Sequence, residues 1–325
     1  MAKIPSMMRA NDRKFASDAY AFLQKQLEKV DSKILEPLSS TLWPRDMPVK
    51  TGGGFVESVS TVNVTYATTG KGDAGLLFNE ANDIPTMQAE YGKDITPVFN
   101  WANSMRISYI DKKKFENIAL NLEDALNKGI HKAFDKFCDD NVFLGFTKVN
   151  TTGLINNPNI TRVAAAPHTS GGTDTKWEEK DADDILADIN DALVAVWSSN
   201  DMAEDGLPNH ILIPAEQYGS IVTRKVGVTG DKSILTYIKE NNIATQQGKD
   251  LVISPNKYCK AAGQSGADRM VVYINEEGRV RFHQTAPLHR ANTQNIDLAF
   301  KTHYVAQVSA VEFLYPTTVR YVDGI

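Results

Sequence analysis

The longest apolar pattern in the chain lies within residues 111–145, where Phe115, Ile118, Ala119, Leu122, Leu126, Ile130, Ala133, Phe134 and Phe137 recur in steps of three and four. That spacing draws one stripe along a helix. Asp111 suits the N-cap and Gly145 the stop, because glycine takes the left-handed backbone that many helix ends require. A helix of that extent would be about 50 Å long, well beyond the usual three or four turns. Lys112, Lys113 and Lys114 sit where the helix dipole disfavours cations, so the charge pattern moves the expected start one turn later.

A shorter stripe, Leu23, Leu27, Val30, Ile34 and Leu38, predicts a helix over 15–38 that Glu36-Pro37 ends or kinks. It has no apolar neighbour in sequence, so its face is expected to pack elsewhere on its own chain or, second, on another subunit. Trp43-Pro44 and Met47-Pro48 predict a stiff, extended connector, and Gly52, Gly53 and Gly54 a flexible hinge. The period then changes. Val56, Val62, Val64 and Tyr66 stand among Ser, Thr and Asn as in a half-exposed strand, and a turn signal follows over 69–73. A second stretch runs through Leu76, Leu77, Phe78, Ile84, Met87, Tyr91 and Ile95. Together they predict a long two-stranded arm with a glycine tip. An isolated hairpin is only marginally stable in water, so the arm is expected to lie on another surface.

Residues 104–110 read as a strand feeding the long helix. After it, Gly153-Leu154-Ile155-Asn156-Asn157-Pro158 is dense in turn chemistry. Residues 167–181, with Ser170-Gly171-Gly172, read as a hydrophilic link between domains. Helices over 184–197, 215–223 and 234–241 then alternate with strands over 210–213, 251–253, 270–274 and 280–282, as in a mixed α/β or α+β unit. Strands return over 296–300, 305–313 and 317–322.

The 325 residues, 42% hydrophobic, can bury a core and hold two or three domains. A net charge of −5 gives no global basic bias toward nucleic acid. Up to Lys33 the chain carries a local excess of bases, read mainly as a solvated helix face and second as a contact for DNA or an acidic scaffold. Cys138 and Cys259 follow no metal spacing and read as reduced thiols of a cytoplasmic protein. No secretory signal or membrane span is legible. His283, His289 and His303, with Asp297 between, match no metal signature and read as exposed strand positions. The loop 263–267 lacks the Lys-Ser/Thr of a phosphate loop. No catalytic, cofactor-binding or metal-binding residue is expected.

The order of parts, an N-terminal helix, a glycine-hinged hairpin, a strand into a spine helix, an α/β unit and returning strands, resembles the tailed-bacteriophage major capsid protein, whose fold encapsulins share. The spine end Asp139-Asp140-Asn141-Val142-Phe143-Leu144-Gly145, the Gly153–Pro158 run and the closing Tyr315-Pro316 and Tyr321-Val322-Asp323-Gly324-Ile325 carry the resemblance, mostly through their order and spacing. It implies an α+β fold with an N-arm (1–47), an extended β-hairpin E-loop (48–98), a P-domain with the spine helix (99–165), an α/β A-domain (166–282), and returning P-domain strands with a final strand (283–325). It implies a self-assembling subunit forming pentamers and hexamers of an icosahedral head around double-stranded DNA. Scaffolding protein and portal would be partners, and assembly would take place in the host cytoplasm. The removable N-terminal scaffolding segment common in the family is not legible, which suggests a separate scaffold or a mature start.

On that resemblance Gly52, Gly53 and Gly54 become the E-loop hinge. Lys71, then Lys93, would be the lysine of an intersubunit crosslink, although a solvated loop lysine is the preferred reading. Lys112, Lys113 and Lys114, taken to lie where the E-loop rejoins the body, would pair with acids of an adjacent subunit. The rival readings are an encapsulin-like compartment and a cytosolic enzyme on the α/β unit. The second lacks a cofactor loop and a clustered acid–base set.

Overall fold

The computed structural model describes residues 41–69, 86–116, 122–169, 174–227 and 231–325. The helix expected over 15–38, Lys71 and the hairpin tip lie outside the described residues.

One strand ties the protein together. β3 (Met87–Ser108) is 22 residues long and has two partners. Its outer half pairs antiparallel with β2 (Ser58–Thr68), from Thr68↔Met87 to Ser58↔Pro97. Its inner half pairs antiparallel with β10 (Ala299–Ser309), from Val98↔Ser309 to Ser108↔Ala299. β9 (Ala286–Ile296) completes a sheet ordered β2-β3-β10-β9. The change of partner falls at Pro97, which has no N–H to donate, and its carbonyl accepts from the N–H of Ala310 at 3.1 Å. The two stretches expected to end near Ile95 and begin near Ser104 are therefore one strand. It stops at Ser108 rather than Ile110, because Tyr109 opens a helix.

That helix fills the long apolar pattern in two described parts, α2 (Tyr109–Glu116) and α3 (Leu122–Phe143), with 117–121 outside the described residues. Its start lies before the lysines, not one turn after them. The side chains moderate the dipole conflict: Lys114 lies 3.7 Å from Asp111, and Lys112 stands 5.4 Å over the Phe300 ring. On α3 the buried row is Ile130, Phe134, Cys138 and Val142, a strict four-residue step; Ala133 falls off it and is exposed. This row rests on β3 and β10, with Ile130 against Met105 and Tyr304 and the Phe134 ring edge-on to Trp101 at 5.2 Å.

The helix stops at Gly145, whose φ is +70° and whose N–H returns to the carbonyls of Asp140 and Asn141. The chain then folds back on the helix end, with the Leu154 N–H bonded to Val142 O at 2.8 Å and the Ile155 N–H to Phe143 O at 3.2 Å. Asn156 accepts from the Gly153 N–H and donates to Leu144 O, both at 2.7 Å. Tyr321 donates its hydroxyl hydrogen to Leu154 O at 2.6 Å and accepts from the Asn157 N–H at 3.1 Å. The spine end, the Gly153–Pro158 turn and the closing strand thus form one hydrogen-bonded junction.

The connector at Trp43-Pro44 is not extended: Trp43–Asp46 forms a one-turn helix, α1. Its N-terminal donors find a remote cap, Asp139 Oδ1, which accepts from the N–H groups of Leu42 at 2.9 Å and Trp43 at 2.8 Å. Pro44 is tolerated there because a first-turn N–H has no partner within the helix. Trp43 and Met47 are buried in the core beside Phe134, Phe143 and Phe282. β1 (Val49–Thr51) then pairs parallel with β8 (Val280–Gln284), which β11 (Val311–Phe313) flanks on the other side.

The remaining unit is a five-stranded sheet ordered β4-β12-β7-β5-β6, built from β4 (Thr161–Ala164), β12 (Val319–Asp323), β7 (Arg269–Tyr273), β5 (His210–Ile213) and β6 (Val252–Pro255). α4 (Ala182–Ser199), α5 (Ala215–Thr223) and α6 (Ile234–Asn241) join its core through Ile185, Ile189, Leu193, Ile221 and Ile238, with Ile211 and Val272 from the sheet. The last two helices have the bounds that the periodicity predicts. The link over 167–181 is less hydrophilic in place than in sequence. Trp177 is fully buried, and its indole and the buried Lys180 ammonium both donate to Asp188, at 2.9 and 2.5 Å.

Candidate assembly surface

The β2–β3 ribbon has one apolar face. Cross-strand partners share a side of an antiparallel pair, and the register sets Ser60 opposite Ile95, Val62 opposite Lys93, Val64 opposite Tyr91, Tyr66 opposite Ala89 and Thr68 opposite Met87. The other side carries Thr61 with Asp94, Asn63 with Gly92, Thr65 with Glu90 and Ala67 with Gln88. The apolar side faces solvent: Tyr91 is 75% exposed, Tyr66 70% and Val62 62%. A contiguous apolar strip of this kind marks an interaction surface, since little in a lone subunit offsets its exposure. Lys93 lies within the strip, opposite Val62.

At the foot of the ribbon, Gly52, Gly53 and Gly54 take φ of +112°, +109° and +71°, and a Cβ on any of them would meet nothing within 4 Å. They are required for backbone shape rather than for close packing. Two of the three are nevertheless held. The Gly52 N–H bonds to Gln284 O and the Gly54 N–H to Thr285 O, both at 3.1 Å, continuing the line of β1 along β8.

Two buried polar side chains grip the ribbon farther out. Gln307 holds Val56 by both backbone groups, accepting from its N–H at 2.9 Å and donating to its carbonyl at 2.8 Å. It is braced by Asn100 and Thr285, each at 2.8 Å. Glu312 accepts from the Thr61 hydroxyl at 2.5 Å and from Arg281 Nε at 2.6 Å, with His283 Nε2 at 2.8 Å. Arg281 also donates to Thr61 Oγ1 at 2.7 Å. Burial alone would raise the Glu312 carboxyl, but the hydrogen bonds from His283, Arg281 and Thr61 outweigh it and hold the group at about 2, below its ordinary 4.5.

His283 is thus a buried partner of a carboxylate, not an exposed strand residue, whereas His289 is exposed and His303 half-buried. Among the described residues no group of three or more His, Cys, Asp or Glu side chains could hold a metal, and no helix is long and apolar enough to cross a membrane. Cys138 and Cys259 are buried, and burial pushes both thiols up.

The three lysines stand apart from the glycines. Lys112 lies over Phe300, near the start of β10, while Gln307 and Val56 meet near its end. The ribbon rejoins the body at Pro97, some ten strand residues, about 33 Å, from Ser108 beside the lysines. Sequence reasoning missed Gln307, Glu312 and Arg281. The available signal was a polar side chain between Ala306 and Val308 and another between Val311 and Phe313, in strands otherwise reading as core.

A family model described as major capsid protein matches residues 72–325. No curated protein matches the chain in sequence. Among solved structures, the capsid of Myoviridae phage XM1 superposes with a TM-score of 0.74 at 16% identity, covering 93% of this chain and 98% of that one. The capsid of a native GTA particle does so with a TM-score of 0.59 at 12% identity, covering 91% and 94%. A chain from Microbacterium phage Oxtober96 gives a TM-score of 0.59 at 13% identity, with the same coverage.

Proposed function

The chain belongs to the major capsid protein family and has the fold of phage-capsid subunits, and from that premise we propose how it builds its shell. It is a structural protein of the virion. Copies close into pentamers and hexamers of an icosahedral head around double-stranded DNA, assembled in the host cytoplasm with a scaffolding protein and a portal. The observation that carries this reading is the exposed apolar face of the β2–β3 ribbon. Val62, Val64, Tyr66, Met87, Tyr91 and Ile95 lie on one side of a ribbon that projects from the core, and a neighbouring subunit is the surface that covers them. Each such side chain, fully covered, gains roughly 1.5–3 kcal/mol before ordering costs, so a repeated contact of this size drives closed assembly.

In this reading residues 1–47 are the N-arm and 48–98 the E-loop. Residues 99–165 with the returning strands of 283–325 form the P-domain, apart from β4 and β12, which lie in the five-stranded sheet of the A-domain, and 166–282 form the A-domain, whose last three residues enter the strand shared with β1 and β11. The E-loop foot at Gly52, Gly53 and Gly54 supplies the backbone turn from which the ribbon leaves the body. Lys112, Lys113 and Lys114, at the far end of β10, meet acids of adjacent subunits. The net charge of −5 suits non-specific enclosure of DNA rather than tight binding of it. A subunit of this kind needs no catalysis and no cofactor. Electron microscopy of the purified chain tests the reading. Closed shells of uniform diameter are expected, and a small discrete oligomer at every concentration and salt would contradict it.

A further inference from the structure

We propose that Glu312, Arg281 and Gln307 form a polar latch that sets the angle of the ribbon, and that the ribbon pivots beyond the glycine triplet, where β3 changes partner at Pro97. Gly52 is bonded to the last residue of β8 and Gly54 to Thr285 just after it, so both move with the body. The next fixed point is Val56, clasped by Gln307 through both its backbone groups. Among the described residues, the outermost is Thr61, bound by Glu312 and Arg281. Beyond it, ribbon side chains bond within the ribbon, Asn63 to Asp94 and Thr69 to Thr86.

On the returning strand, Pro97 is the last residue paired with β2, and Val98 the first paired with β10. Its missing N–H leaves the ladder weakest there. An open cleft lies beside this point, between Asp94, Ile95 and Thr96 of the ribbon and Val149, Pro158 and Phe313 of the body, and gives the ribbon room to swing. The latch is closed here. Opening it requires separating Thr61 from a buried carboxylate that is already paired with Arg281 and His283. The ribbon therefore rests at one angle and moves to a second when a neighbour supplies the difference, instead of drifting freely on three glycines.

The purpose of the latch rests on the assembly reading, but its existence is testable on unassembled subunits, so failure of one is distinguishable from failure of the other. Spin labels at Thr65→Cys on the ribbon and Asp205→Cys on the body report the angle by double electron–electron resonance. Both positions are exposed, while the native Cys138 and Cys259 are buried and stay unlabelled. Thr61→Val and Glu312→Gln are each expected to broaden the distance distribution about twofold or more, and Thr61→Ser to keep it narrow by preserving the hydroxyl. Unchanged distributions in both latch variants, or broadening by Gly53→Ala alone, would overturn the proposal.

Discussion

Glycine serves opposite ends at the two ends of this molecule's architecture. At the spine end, a Cβ on Gly145 would lie 2.4 Å from the Thr151 carbonyl oxygen, and one on Gly153 would lie 2.3 Å from the carbonyl of Phe143. Both are main-chain contacts in a junction whose neighbours, Val142, Phe143, Leu154 and Ile155, are completely buried. At the ribbon foot, Gly52, Gly53 and Gly54 have open space around them and positive φ. The first pair permits two backbones to touch; the triplet permits a turn. Close main-chain packing and a backbone turn that needs positive φ therefore come from the same residue type, and only the surroundings tell them apart.

The sharpest way to break the comparison is a methyl group at each site. Gly153→Ala forces main chain into main chain, with an expected loss above about 4 kcal/mol and little soluble protein, read by yield and by thermal unfolding. Phe134→Ala empties the spine's contact with Trp101 and should cost about 3–5 kcal/mol in denaturant unfolding. Glu312→Gln unpairs Arg281 and His283 and should cost about 2 kcal/mol. Gly53→Ala meets no neighbour and should cost only the backbone strain, about 1–2 kcal/mol. If the two glycine variants proved equally costly, the contrast would fail.

Acid sharpens the same contrast. The Glu312 carboxyl is depressed to about 2 in the folded protein from an ordinary 4.5, so the unfolded chain takes up its proton first as pH falls. Its contribution is complete above about 4.5 and fades as pH drops toward 2. The stability gap between the native chain and Glu312→Gln, measured by denaturant titration, should therefore be constant from pH 7 to 5 and shrink below that. A gap that grew on acidification would contradict the assignment.

Local patterns were legible where the interaction is local. The helical stripe through Ile130 and Phe134, the stop at Gly145 and the bounds of the two helices over 215–223 and 234–241 all follow from neighbours a few residues apart. The alternation Val62, Val64, Tyr66 foretold a ribbon with an apolar side. What sequence hid is made by distant partners. Asp139 caps a helix turn almost a hundred residues earlier, which is why Trp43-Pro44 looked extended. Thr61 meets Glu312 across 251 residues, so the three glycines looked like a free hinge. The single strand β3 read as two stretches, one through Ile95 and one from Ser104, because the change of partner at Pro97 is visible only in three dimensions.

Covering the ribbon's apolar face is the central claim, and one double variant addresses it directly. Val64→Asp with Tyr91→Asp places two charges at directly opposed, exposed positions and removes no contact from the core. Sedimentation velocity of the purified protein should show closed shells from the native chain. The variant should give only small soluble species, with an unchanged unfolding midpoint. Normal shells from the variant would contradict the account.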